Sequence, residues 1–171
     1  MSNQPLNHPT FEKLLTTLEN PDGLVRLEAR KELVSLGPPV VPALGQVLKN
    51  SPSVHARWEA AKTLGEIGDP ASIPALVDAL EEEDADVAWL ITEALRHFHK
   101  AAWAPVLNAL LKKGSESIVL CKRTHHVFAG QKDKDYDHLL EMLRKTLDGG
   151  TMREGCAGAA FEILKKMGAI S

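Results

Sequence analysis

Aromatic side chains are scarce in this chain, at 5% of residues, and cysteines number only two. Few aromatics beside abundant Ala and Leu disfavour a sheet core and favour close helix-on-helix packing. Cys121 and Cys156 form no Cys-x-x-Cys pair, so reduced thiols in a cytoplasmic protein are the expectation. No apolar run approaches the length of a membrane span, and Met1–Pro5 lacks the charged and apolar regions of a signal peptide. Membrane partners are therefore not expected. The net charge of −3 argues against general affinity for nucleic acid. Also missing are a His-Glu-x-x-His pair, a Gly-rich phosphate loop and a serine nucleophile elbow. No catalytic residue and no cofactor are expected.

What is present is a repeat. Arg26-Leu-Glu-Ala-Arg-Lys-Glu-Leu-Val-Ser-Leu-Gly37 returns as Arg57-Trp-Glu-Ala-Ala-Lys-Thr-Leu-Gly-Glu-Ile-Gly68, keeping the Arg, Glu, Ala, Lys, Leu and final Gly. A fainter third copy, at the same step again, places Trp89, Leu95 and Phe98 after Trp58, Leu64 and Ile67. Self-similarity at such a period means stacked units, each burying a face that it cannot cover alone. With 171 residues, 44% hydrophobic and 25% charged, the chain is one globular domain.

Each copy reads as two antiparallel helices. Val25, Ala29, Leu33 and Leu36 lie on one face of a 3.6-residue period, as do Ala56, Ala60, Leu64 and Ile67, and then Val87, Ile91, Leu95 and Phe98. Asp22, Ser53 and Asp84 are the expected N-caps, and Gly37 and Gly68 the expected helix ends; His99 stands where the third glycine would. Second helices are expected to begin near Pro42, Pro74 and Pro105. The divisions are then 1–8 flexible, 9–20 a capping helix, 21–50 repeat 1, 51–83 repeat 2, 84–113 repeat 3, 114–148 a degenerate repeat 4 and 149–171 a C-terminal half repeat. In repeat 4, Ile118, Cys121 and Phe128 are expected to face the core, with Lys122 or His126 at positions the pattern fills with Ala and Leu. Asp148-Gly-Gly150 reads as a turn. Ala160, Leu164, Met167 and Gly168 copy the spacing of Ala29, Leu33, Leu36 and Gly37, which makes the last helix a fifth first-helix. Gly155 and Gly158 within it suggest close helix packing. The predicted fold is all-α: a right-handed α-solenoid (superhelix) of about five stacked antiparallel helix pairs, with partial repeats capping both ends.

Neither the tetratricopeptide period of about 34 residues nor the ankyrin period of about 33 fits, and neither signature is present. The motif Val25-Arg26-x-x-Ala29-x-x-x-Leu33-x-x-Leu36-Gly37 and its echo at Ala56–Gly68 resemble HEAT repeats. They look closest to the short HEAT-like repeats of the phycobilisome-lyase type. The resemblance covers residues 20–111 well and 115–168 loosely. It implies a ladder between adjacent turns made by Asp22, Arg26 and Arg57, stopping at Ala88. It also implies a concave surface lined by second helices. Register puts Gln46, Asp78 and Ala109 in one column of that surface and Lys49, Glu81 and Lys112 in another.

Two further groups stand out. Trp58 and Trp89 share a column with Leu27 at the flank of the buried face, where they either fill seams between repeats or anchor a partner. His97, His99, His125 and His126 end two successive first helices, near each other once the repeats stack, and neutral imidazoles ligate zinc or nickel. No carboxylate or thiol sits at a recognised ligand spacing from them, and the helix dipole favours His there anyway. No metal is favoured. Residues 1–85 carry 7 Lys+Arg against 13 Asp+Glu, and residues 86–171 carry 13 against 10. The expected function is a non-catalytic scaffold or adaptor that presents a rigid helical surface to another protein. The alternative, which comes from the resemblance, is a bilin-lyase-like or chaperone-like protein handling a tetrapyrrole and its acceptor, with His97, His125 and the Trp column as contacts. Duplex DNA is a poor third, because the inner columns mix both signs of charge.

Overall fold

A computed structural model describes residues 9–148 and 155–170. The flexible segment expected over 1–8, and most of the turn expected at 148–150, lie outside these residues. Among the described residues ten α-helices follow one another: α1 Pro9–Thr17, α2 Gly23–Leu36, α3 Val41–Asn50, α4 Val54–Ile67, α5 Ile73–Asp78, α6 Ala85–His97, α7 Lys100–Lys113, α8 Ile118–Phe128, α9 Asp137–Leu147 and α10 Cys156–Lys166. Single 3₁₀ turns at Pro38–Val40 and Pro70–Ser72 lead into α3 and α5, and no strand occurs among the described residues.

The helices stack in two rows. α2, α4, α6 and α8 form one row and α3, α5 and α7 the other; α3 packs on α4, α5 on α6 and α7 on α8. This is an all-α solenoid. The N-caps are those the sequence predicts. Asp22 Oδ1 accepts from Leu24 N at 2.8 Å, Ser53 Oγ from Ala56 N at 3.3 Å and Asp84 Oδ1 from Val87 N at 3.0 Å. Pro42 and Pro74 sit in the first turns of α3 and α5. Pro105 does not start its helix: α7 begins at Lys100 and carries the proline in its interior. His99 takes up φ +48° and ψ −135°, close to the +69° and −146° of Gly37. The turn therefore keeps the glycine geometry without the glycine.

The predicted buried face holds in the middle of the stack. Ala29, Leu33, Ala56, Ala60, Leu64, Val87, Ile91 and Leu95 are all buried. Val25 and Leu36 are not, at 39% and 38% exposed, although α1 packs on α2; Ile67 and Phe98, at the place of Leu36, are half-buried. In α8 the register departs from expectation. Leu120, Thr124 and Phe128 take the places of Val87, Ile91 and Leu95, where a strict period would put Ile118, Lys122 and His126. Cys121 and Phe128 are buried as expected, but Ile118 is 59% exposed, Lys122 lies outside and His126 is half-buried. Cys156, Ala160 and Leu164 continue the buried column in α10. Yet α10 packs chiefly on α9 and α7, while α9 follows α8. The last pair thus exchanges rows, and α10 ends the row of second helices. Gly158 has open space where a Cβ would stand, so it serves no close packing.

Arginine ties adjacent repeats, but Asp22 takes no part beyond its cap. Arg26 Nε meets Glu59 Oε1 at 3.2 Å and donates from NH1 to the carbonyls of Asn20 and Pro21. Arg57 repeats the arrangement, with Glu82 at 3.0 Å and the carbonyls of Ser51 and Pro52. At the next step Ala88 is buried and the ladder stops. Glu59 is 3% exposed and also receives Arg30 NH1 at 2.6 Å, so one buried carboxylate holds two guanidiniums.

Candidate partner-binding surface

The row of second helices carries a groove between α3 and α5. Gly45 allows the approach, since a Cβ on it would lie 3.1 Å from Ala75 Cβ. The groove has a volume of about 460 Å³ and is walled by Val41, Pro42, Pro74 and Ala79, with Gln46, Lys49, Asp78 and Glu82 at its polar edge. Three of the five polar side chains predicted from register, Gln46, Lys49 and Asp78, therefore come together here. Glu81 does not join them. It accepts from Ser117 Oγ at 2.6 Å and lies 3.5 Å from Lys113 Nζ, holding the start of α8. Lys112 is exposed on α7, away from the groove.

The row of first helices carries the two tryptophans, and their surroundings differ. Trp58 is half-buried, with the Arg30 guanidinium 5.7 Å and the Lys62 ammonium 5.6 Å from its ring centroid. It packs between repeats. Trp89 is 55% exposed, and among the described residues no cation lies over its ring. It borders a groove of about 270 Å³ between α4 and α6, with Ala61, Gly65, Leu90 and Ala94 below and Lys62, Glu66, Glu93 and His97 around it. Gly65 brings the helices close, as a Cβ there would stand 3.2 Å from Ala94 Cβ.

The histidines make contacts of different kinds, two of them with Glu93. His97 is exposed and its Nδ1 donates to the Glu93 carbonyl at 2.7 Å. His99 Nδ1 lies 3.4 Å from Gln131 Oε1, and His126 Nε2 lies 3.0 Å from Glu93 Oε1. His125 is half-buried. Among the described residues no three His, Cys, Asp or Glu side chains converge as metal ligands.

The HEAT repeats family model matches residues 11–96, which is α1 through nearly all of α6. The chain belongs to the HEAT-repeat family. Comparison with curated proteins returned no match. Both grooves lie within the matched HEAT repeats, and α7–α10 follow them.

Beyond the matched HEAT repeats lies a cluster that sequence reasoning missed. Tyr136 is 5% exposed and sets its edge against Trp103, with centroids 5.6 Å apart. Lys100 Nζ stands 4.1 Å and Lys166 Nζ 4.9 Å from the tyrosine ring centroid. A hydrogen bond from Lys100 to Asp133 raises the lysine's pKa and lowers that of the carboxyl. Gln131, in the polar loop between α8 and α9, is buried and donates to the Arg96 carbonyl at 2.8 Å. These contacts fasten the segment from Gln131 onward to α7 and to the end of α6. No sequence spacing marks the cluster, because Lys100 and Lys166 lie about 36 and 30 residues from the tyrosine. Burial pushes the thiols of Cys121 and Cys156 up in pKa, so neither is poised as a nucleophile.

Proposed function

We propose that this chain is a non-catalytic scaffold or adaptor that holds another protein on the α4/α6 face of its HEAT repeats. The observation that carries the reading is Trp89, 55% exposed beside a groove floored by small side chains. An indole offers a large rigid contact area at low entropic cost, and tryptophan is among the commonest anchors of protein interfaces. HEAT repeats in general serve as extended binding surfaces. The α3/α5 groove, with Gln46, Lys49 and Asp78 on its edge, is a second contact area for the same partner or another. No helix of the described residues is long and apolar enough to cross a membrane. Both cysteines are free, in keeping with a place in the cytoplasm.

The test is an affinity pull-down from the protein's own cells with mass spectrometry, comparing the wild type with Trp89→Ala and Trp58→Ala. Loss of one stoichiometric protein with Trp89→Ala at unchanged melting temperature supports the reading. Capture of the same protein by that variant refutes the placement at this face. A tetrapyrrole-handling role is the alternative, motivated by the resemblance to the short HEAT-like repeats; His97 is exposed and His125 half-buried, and neither supports it as the exposed Trp89 supports the scaffold. An unchanged bilin absorbance spectrum after mixing with the protein would remove it.

A further inference from the structure

Trp58 carries its own cations and Trp89 carries none among the described residues. Arg30 from α2 and Lys62 from the next turn of α4 flank the Trp58 ring at 5.7 and 5.6 Å. In the following repeat the same places around Trp89 hold Ala61 and Glu93. Ala61 ends at its β-carbon, so the guanidinium that covers the earlier tryptophan has no counterpart. Glu93 reverses the charge of the second neighbour; its Oε1 is already met by Arg96 at 3.2 Å and by His126 Nε2 at 3.0 Å, and Lys62 also lines the groove. Glu66 lines the same groove, 41% exposed, with its own cations at the long distances of 3.5 Å (Arg30) and 4.0 Å (Lys62). The space, about 270 Å³, falls below the roughly 300–1,000 Å³ of small-molecule sites and suits one inserted side chain.

Resting on the scaffold reading above, we propose that the α4/α6 groove receives an arginine side chain from the partner protein. Its guanidinium stacks on Trp89 and turns its donors toward Glu66, the more exposed of the two carboxylates at 41% against 19%, while its aliphatic stem lies on Leu90 and Ala94. The arrangement rebuilds between two proteins what Arg30, Trp58 and the carboxylates of Glu59 and Glu66 already make within this one. Arginine suits the seat better than lysine, because a planar fork stacks on an indole and donates to carboxylates at once.

The test uses the full chain and two five-residue peptides, one with a single arginine between alanines and one with citrulline in its place. Citrulline has the same shape without the charge. Indole N–H signals are followed by two-dimensional ¹H–¹⁵N spectra, with Trp89→Phe identifying the Trp89 signal. The arginine peptide should shift Trp89 in a saturable way and leave Trp58 unmoved. The citrulline peptide should bind about two- to fivefold more weakly. Glu66→Gln should weaken the arginine peptide and leave the citrulline peptide unchanged. Equal affinity for both peptides overturns the arginine assignment while leaving a partner site at Trp89 intact. No shift at Trp89 overturns it outright. A Trp89 signal that moves with protein concentration alone, without peptide, also overturns it and makes a second copy of this chain the occupant. The pull-down with Trp89→Ala reads out separately, so the scaffold reading stands or falls on its own.

Discussion

Removing the Glu59 carboxylate is the sharpest test of how these repeats are joined. Glu59 is 3% exposed and meets Arg26 at 3.2 Å and Arg30 at 2.6 Å, both from α2. Glu59→Ala leaves two guanidiniums without their buried counter-charge. Breaking a buried pair from one side costs about 3–5 kcal/mol. The arginine side chains are 15% and 12% exposed, and Arg26 keeps its two carbonyl contacts, which places the loss near the lower end. For a chain of this size about 3 kcal/mol corresponds to a melting temperature lower by roughly 6–12 °C. Urea unfolding followed by circular dichroism measures the free energy. A double-mutant cycle with Arg30→Ala should return a coupling of more than about 1 kcal/mol. A total loss under about 1 kcal/mol, indifferent to the cycle, is the behaviour of an exposed ion pair and would refute the buried junction.

Three further outcomes are expected. Leu64→Ala should cost about 2–5 kcal/mol, since Leu64 is fully buried, whereas Val25→Ala at 39% exposure should cost less than about 1 kcal/mol; equal losses in urea unfolding would overturn the assigned seams. His99→Gly should raise stability by about 1 kcal/mol, because His99 holds φ +48° where side chains are strained, and a drop in melting temperature would refute that. Cys121 and Cys156 should resist Ellman's reagent at mildly alkaline pH in the folded chain and both react in urea, as both are buried with raised pKa; fast native labelling would contradict their placement.

Where the repeat was regular, the sequence was a sufficient guide. The caps at Asp22, Ser53 and Asp84 and the column Ala29, Ala60 and Ile91 follow from local preference and a helical period, and both survive packing. Ile118 failed because an apolar residue in a first turn satisfies the period equally well one step earlier or later. Only the pull of Leu120, Thr124 and Phe128 into the seam decides the register. The carboxylate partners of Arg26 and Arg57 were illegible for another reason. Glu59 lies on the next first helix and Glu82 in the turn after α5, so no single spacing marks them. The α3/α5 groove was partly legible. Gln46, Lys49 and Asp78 share it because α3 and α5 keep register across Gly45, but Glu81 lies just past α5, where the chain turns toward Ser117.

The column Leu27, Trp58, Trp89 and Lys122 shows why fold and function part company in such a chain. Its first two members sit beside repeat-to-repeat contacts; Trp58 is held between cations that the chain itself provides. At Trp89 the repeat keeps the ring and drops the cations, putting Ala61 and Glu93 in their places. In α8, Lys122 replaces the ring and the column turns to solvent. A stacking force common to all repeats cannot select such a change, since an alanine or lysine at position 89 would leave the α4/α6 seam closed at Leu64, Ile91 and Leu95. Trp89→Lys should accordingly leave stability within about 0.5 kcal/mol of wild type while abolishing capture of the partner. A large loss of stability would return Trp89 to the core and the face to the fold.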